Sequence, residues 1–318
     1  MTTELPSRYN LLMLSGDSSI ASGSKGAFYM MLERFSAYWN RIDIITPSAP
    51  GAEECVIHDN VHIHPSPRHR LFQPWFIASK GRELLDERPY HLVVSHDYGF
   101  FYNGIGAWLL LRDWEVPIPH ISEIHHIEGY PRAVTLRERL WRQAAEVYLR
   151  WSRNRVTAYR TVNWEVSDYL VQRNVSPHKV LRISSLYMEM ALFRPLAMDQ
   201  PYDVLYVGRL ARNKGIMTLL DAVAQLQQST HPEIVLGIRG DGSQRRQVER
   251  RIAALKLKDH VRWVSPVPDA EAMMTLYNSA KVIVCTSTVE GNPRVTAEAM
   301  ACGIPVISTR VGLMQEII

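Results

Sequence analysis

From Lys281 to Ser308 the chain spells one complete strand–loop–helix–strand unit, and such a unit commits its surroundings to a parallel sheet. Lys281-Val282-Ile283-Val284-Cys285-Thr286 is an apolar, β-branched run of the kind that forms a strand buried on both faces. Pro293 suits the first position of the helix that follows, since its missing N–H would have no partner there. Gly303 reads as the C-cap, and Ile304-Pro305-Val306-Ile307-Ser308 as the next strand. Glu290 then lies on the loop at the carboxyl end of a strand, where open α/β sheets bind ligands. Glu298 sits eight positions on, inside the helix.

The same alternation runs along most of the chain and predicts an α/β protein. In the first half, strands are expected at Tyr9–Leu14, Ile42–Thr46, Val61–His64, His91–Ser95, Pro119–Ile124 and Val156–Val162. Helices are expected at Ala27–Trp39, up to about Arg88, around 100–112 and through the basic segment after 130. Pro195, Pro201 and the polar residues between them mark a boundary, after which Tyr202–Val207 restarts the pattern. The 318 residues suffice for two ordinary cores, here 1–198 and 199–318.

Composition narrows the class. Hydrophobic content of 46% and charged content of 21% are ordinary for a soluble α/β protein. Cys55, Cys285 and Cys302 lie far apart without metal-ligand spacing, which points to a reduced, cytoplasmic setting. Met1–Pro6 lacks the basic start and apolar core of a secretory signal, and no apolar run is long enough to span a bilayer. Charge is uneven within the net +4: residues 130–160 hold eight arginines against Glu138 and Glu146. Leu136, Leu140, Ala144, Val147, Tyr148 and Trp151 recur there at helical spacing. This predicts a helix packed on its own domain, with peripheral contact to an anionic membrane, near Trp141 and Trp151, as the sharper expectation. No nucleic-acid module accompanies the basic segment.

Three further segments bear on chemistry. In Tyr206–Gly215 a strand ends, Gly208 lets the chain turn, and Arg209 and Lys214 fall on the loop above the strand end. Two fixed cations there can neutralise a diphosphate and the charge that grows on it as a glycosidic bond breaks. The Glu290–Pro293 helix start offers free N–H groups and a positive dipole end to phosphate. One carboxylate can take sugar hydroxyls and the other ribose hydroxyls. That is a nucleotide-sugar site in outline. Finally, Ser122–Gly129 ends a strand with two histidines, and His96-Asp97 ends another.

Glu290–Ile307 resembles the E-x7-E motif of retaining glycosyltransferases with the GT-B fold, in particular the GT4-like group. The resemblance covers nearly the whole chain and is strongest from about 202 to 312. It implies two Rossmann-like domains with parallel sheets facing across a cleft, the first on the acceptor side and the second holding the nucleotide sugar. Gly208-Arg209 and Lys214-Gly215 resemble the family's G-R-x(4)-K-G element, which assigns the leaving diphosphate to Arg209 and Lys214. Glu290 would hold the donor sugar, with Gly291 and Asn292 beside it, and Glu298 the ribose. Gly240-Asp241-Gly242 resembles the family's glycine turn near the nucleotide, and the loop after Val261, at Val267, the backbone that meets the base. His125 matches the strand-end histidine that faces the donor sugar. His96 and Asp97 are assigned by position to the acceptor pocket.

The resemblance implies transfer of a hexose or similar sugar from a nucleoside diphosphate to a glycan or lipid-linked acceptor, with no metal, since no D-x-D occurs. Departures are visible. The family's paired glycines in the first-domain loop are not intact, since Lys25 precedes Gly26, which is kept as a donor contact. Ser265 stands where a glycine is common. Relatives continue past Val311-Gly312 with more strand and helix, so the second domain is expected to be incomplete, its bare edge favouring oligomers. The rival expectation is a non-catalytic nucleotide- or glycan-binding protein, and a third is a GT-B sugar epimerase.

Overall fold

β1 (Asn10–Leu14) is buried at every position, as a strand must be when helices cover both faces of its sheet. The computed structural model describes residues 9–23, 26–131, 133, 135–184 and 191–318. Packing divides the chain into two compact units, Met1–Ser184 and Ser185–Ile318.

In the first unit, β1 is joined by β2 (Arg41–Thr46), β3 (Cys55–Ile57), β4 (Val61–Pro65), β5 (Leu92–His96), β6 (His120–Ile124), β7 (Ala158–Thr161) and β8 (Val180–Arg182). They form one sheet in the order β3-β4-β2-β1-β5-β6-β7-β8. All pairings are parallel except β3 with β4. The helices are α1 (Ala27–Phe35), α2 (Gln73–Glu87), α3 (Tyr102–Leu111), α4 (Leu136–Ser152) and α5 (Trp164–Gln172). Successive strand residues face opposite ways. Leu11 and Met13 therefore pack with Leu32 of α1 in one core, while Leu12 and Leu14 pack with Ile77, Leu84 and Leu110 of α2 and α3 in another.

The second unit has β9 (Tyr202–Val207), β10 (Leu236–Arg239), β11 (Val261–Val264), β12 (Ala280–Cys285) and β13 (Val306–Ser308). They are all parallel, in the order β11-β10-β9-β12-β13. Helices α6 (Ile216–Ser229) and α7 (Arg245–Ala254) cover one face, α8 (Ala270–Asn278) and α9 (Arg294–Ala301) the other, and α10 (Met314–Ile317) follows β13.

Several expectations need correction. The boundary expected after 198 falls earlier, because Phe193 is buried with Tyr277 and Ile283 in the second unit's core. Leu196 donates its N–H to Asn278 Oδ1 at 2.8 Å, tying the same segment there. β3 adds an antiparallel hairpin where parallel strands were expected; its turn uses His58 and Asp59 at positive φ without a glycine to announce it. The helix expected over Ala27–Trp39 is α-helical only to Phe35, then a 3₁₀ turn. Pro293 is the N-cap of α9, not its first helical residue.

The basic segment forms α4, held by a capping box in which Thr135 and Glu138 exchange hydrogen bonds. Its expected apolar stripe splits. Ala145, Tyr148 and Leu149 are buried, whereas Leu136, Leu140 and Val147 stand exposed beside the arginines. Among the described residues no helix is long and apolar enough to cross a membrane.

Candidate functional site

In the second unit, glycines let strand ends and loops approach closely. A Cβ on Gly240 would sit 1.9 Å from the Gly208 carbonyl oxygen, so the turn after β10 closes on the turn after β9 only with glycine there. After a 3₁₀ turn over Arg212–Lys214, Gly215 takes the left-handed conformation (φ +65°) against the Thr286 carbonyl. Thr286 Oγ1 donates to the Lys214 carbonyl at 3.0 Å, and the Thr288 N–H to the Asn213 carbonyl at 2.8 Å. The loop after β9 is thus pinned to the loop after β12.

This brings Lys214 to Glu290. Lys214 Nζ donates to Glu290 Oε1, and Ser287 Oγ donates to the same oxygen at 2.7 Å. Both side chains are largely buried. Arg209 is exposed beside them: Glu290 raises and Arg209 lowers the pKa of Tyr206, which burial pushes well above its ordinary value. Gly291 accepts the Leu313 N–H at 3.0 Å, and Asn292 follows it into α9. Gly242 turns against the Leu210 carbonyl, and Val267 packs partly buried beside Val264.

Glu298 is placed differently from Glu290. Its carboxylate faces the core, where Tyr277 Oη donates to Oε2 at 2.7 Å and Arg294 Nε to Oε1 at 2.8 Å. Burial and this carboxylate drive the Tyr277 phenol far above its ordinary pKa. A ribose contact must share oxygens already bonded.

In the first unit, Gly26 is the exposed N-cap of α1, while Lys25 lies outside the described residues. His96 and His125 lie at the carboxyl ends of β5 and β6, their rings 6.0 Å apart. With Gly16, Asp17, Tyr98 and Glu123 they line a cavity of about 360 Å³. Glu123, 6% exposed, is the hub that the sequence reading missed. It accepts from His96 Nε2 at 2.7 Å and from Arg160 Nη1, and lies 3.8 Å from His125 Nε2. That last distance fits an ion pair but is too long for a hydrogen bond. Burial alone would raise the Glu123 carboxyl, but the two histidines and Arg160 outweigh it and hold it far below the usual carboxylate range. An acid inside a strand expected to be buried was the available signal, since a buried charge needs partners.

Asp97, assigned to the acceptor pocket, lines this cavity too, but its carboxylate is held inward. It accepts from Ser95, Ser122 and Tyr148 hydroxyls at 2.7, 2.5 and 2.9 Å and from the Gly104 N–H at 2.7 Å. Its role is to fix the start of α3 and the strand ends around His96. Burial outweighs these bonds and raises Asp97 to about 6. On the other side of Ser95, His120 Nε2 lies 2.8 Å from its Oγ, and burial lowers that histidine to about 4.

The two shifts oppose each other. Asp97 holds its proton more tightly when folded, so its ionisation reduces stability as pH rises from about 4 to about 6. His120 resists protonation when folded, so its loss of a proton adds stability as pH rises from about 4 to 6.5. Asp97→Asn removes the first effect alone. The stability of the native chain minus that of the variant should fall by on the order of 2 kcal/mol from pH 4 to 6. Urea unfolding across that range tests it; a constant difference would contradict it.

Among the described residues no group of three His, Cys, Asp or Glu side chains is arranged to hold a metal ion. Comparison with known proteins bears on both units. Residues 22–185 match the glycosyl transferase 4-like domain, and residues 191–318 match glycosyl transferases group 1. The chain is 28% identical over 230 residues to a glycogen synthase of Mycobacterium tuberculosis, covering 71% of this chain and 53% of that protein. It thus spans about half the length of this curated relative. Sucrose-phosphate synthase from Thermosynechococcus elongatus superposes with a TM-score of 0.78 at 23% identity, over 97% of this chain and 83% of that one. HepE from Anabaena, solved with UDP-glucose, gives 0.72 at 18% identity, over 97% of this chain and 82% of its own. These likenesses establish the GT-B fold for the two parallel sheets. With one family model for each unit, the chain belongs to the GT4-like, group 1 family of glycosyltransferases.

Proposed function

We propose that the chain is a retaining glycosyltransferase that moves a hexose or similar sugar from a nucleoside diphosphate to a hydroxyl of a glycan or lipid-linked acceptor. The observation that carries this reading is the Lys214–Glu290 pair, formed between the carboxyl ends of adjacent parallel strands, with Arg209 beside it. A cation for a departing diphosphate and a carboxylate for sugar hydroxyls share one loop cluster.

In this reading, the C1–O bond to the diphosphate breaks and its electron pair leaves with the phosphate. The acceptor hydroxyl bonds to C1 on the same face and passes its proton to the leaving phosphate oxygen. Lys214 has three N–H donors, so it can keep Glu290 while turning another to phosphate. Arg209 adds a second cation, and both act most strongly as charge develops. Glu290 holds the donor sugar's hydroxyls. Glu298, fixed by Tyr277 and Arg294, meets the ribose. His125 orients the reacting sugar, and Glu123 positions His125. HepE's complex with UDP-glucose supports a UDP-sugar as the first donor to try.

The chemistry is written without a metal, and we place the protein in the cytoplasm. Incubation with labelled UDP-glucose and a panel of glycan acceptors tests the reading: label in a larger product supports it. Release of neither product nor free sugar from a folded sample refutes it.

A peripheral contact with the inner membrane face is favoured by α4. Leu136, Leu140 and Val147 are exposed among Arg137, Arg139 and Arg150, and Arg137 lies 4.3 Å over the Trp141 ring. Flotation with anionic liposomes should recover the protein at low salt and lose it at high salt; no salt-sensitive recovery contradicts the contact.

A further inference from the structure

Gln73, the first residue of α2, is 1% exposed, yet neither its Oε1 nor its Nε2 has a hydrogen-bond partner. An amide carries two donor hydrogens and an acceptor oxygen, and leaving such groups buried and unpaired costs about 1–3 kcal/mol each. The residue is not sealed in the core. It lines a narrow slot with Arg70, His96, Tyr98, Tyr102 and Asn103. The slot holds about 10 Å³, room for one group the size of a water or a hydroxyl. It shares Gly16, His96 and Tyr98 with the 360 Å³ cavity that His125 lines.

Three of the neighbouring polar groups are already committed. Tyr98 Oη donates to the Gly16 carbonyl at 2.8 Å, Asn103 Nδ2 to the His96 carbonyl at 2.9 Å, and His96 Nε2 to Glu123. The Arg70 guanidinium lies 5.4 Å over the Tyr98 ring, at the exposed side. What fits must satisfy both ends of the amide in the space of one small group. A hydroxyl accepts from Nε2 and donates to Oε1. A phosphate oxygen can only accept, and an ammonium can only donate.

We propose that this slot is a polyol-binding subsite in which Gln73 hydrogen-bonds a hydroxyl arm of the acceptor sugar, the rest of the ring lying in the cavity beside His96 and His125. The word acceptor rests on the transferase reading above; the slot's taste for a polyol does not. The acceptor's neighbouring hydroxyl is thereby read by a side chain that touches it directly. The amide's unpaired groups carry a cost that ligand binding removes.

The test measures saturation-transfer NMR of the purified chain with glucose, galactose, mannose, myo-inositol and glycerol, with inorganic phosphate as competitor. The same samples carry Gln73→Met, which keeps the length without the amide, and Gln73→Asn, which withdraws the amide by one methylene. At least one polyol should bind the native chain and bind both variants about tenfold more weakly, the loss of roughly one good hydrogen bond. Phosphate should not displace it. Gln73→Met should melt at the same temperature or higher, because an unpaired buried amide is gone. If an ordered water is the true occupant, Gln73→Met will melt lower and polyol binding will not change, which overturns the proposal. Absence of binding by every polyol, or displacement by phosphate, overturns it too. UDP titration of the same samples reports on the second unit alone. UDP binding without polyol binding sinks the slot and spares the donor site; the reverse result sinks the donor reading and spares the slot.

Discussion

Lys214→Ala should lower sugar transfer by about 10²–10³-fold, the usual loss when one preorganised donor to a developing charge is removed. The loss should fall mainly on kcat, because the ammonium's bond to the departing phosphate strengthens as the C1–O bond breaks. The fold should survive. The Lys214 backbone is held by Thr286 Oγ1 and by its own N–H to the Ala211 carbonyl, and neither bond involves the side chain. Glu290 keeps the Ser287 hydroxyl. Steady-state kinetics with a UDP-sugar and circular dichroism of the same preparation check both halves. Transfer within threefold of the native rate would remove Lys214 from the chemistry.

Glu123→Ala should cost about 3–5 kcal/mol of stability, the range seen when one member of a buried ion pair is removed. The reason is local. Arg160 and His96 lose the carboxylate that offsets their burial, and His125 loses the nearest charge that fixes its ring. Glu123→Gln should cost less than alanine, because an amide oxygen still accepts from Arg160. The pH dependence has a definite sign. Glu123 is depressed in the folded chain, so its contribution is complete above the ordinary carboxylate value of 4.5. It shrinks as pH falls below that value and is lost below the folded value. The stability gap between the native chain and Glu123→Gln should therefore be constant from pH 7 to about 5 and narrow below it. Urea titrations at several pH values read this out. A gap that stays constant well below pH 4.5 would mean that these partners do not hold the carboxylate ionised.

The second unit's site was readable because its chemistry is local in sequence. Arg209 and Lys214 share one loop, and Glu290 lies on the strand–helix turn after β12; parallel pairing of β9 and β12 then brings the two loops together. Glu298 kept its position but not the expected freedom, since helical spacing does not reveal that Tyr277 and Arg294 already bond its oxygens. Asp97 does line the pocket that its place after His96 at a strand end suggested, but its carboxylate is already taken. One residue further along, its side chain turns inward to Ser95, Ser122 and Tyr148. Glu123 was missed because Arg160 is 37 positions away and only β6–β7 pairing joins them. The β3 hairpin was hidden by a turn made from His58 and Asp59. Gln73 left no trace in the sequence at all. An unpaired amide is a property of packing.

The central claim is that the loops after β9 and β12 form a working nucleotide-sugar site. Calorimetric titration of the purified chain with UDP, GDP and ADP, repeated on Lys214→Ala, tests it most directly. The account predicts saturable binding of one nucleotide, weakened in the variant. A folded native chain that binds none of the three would contradict it.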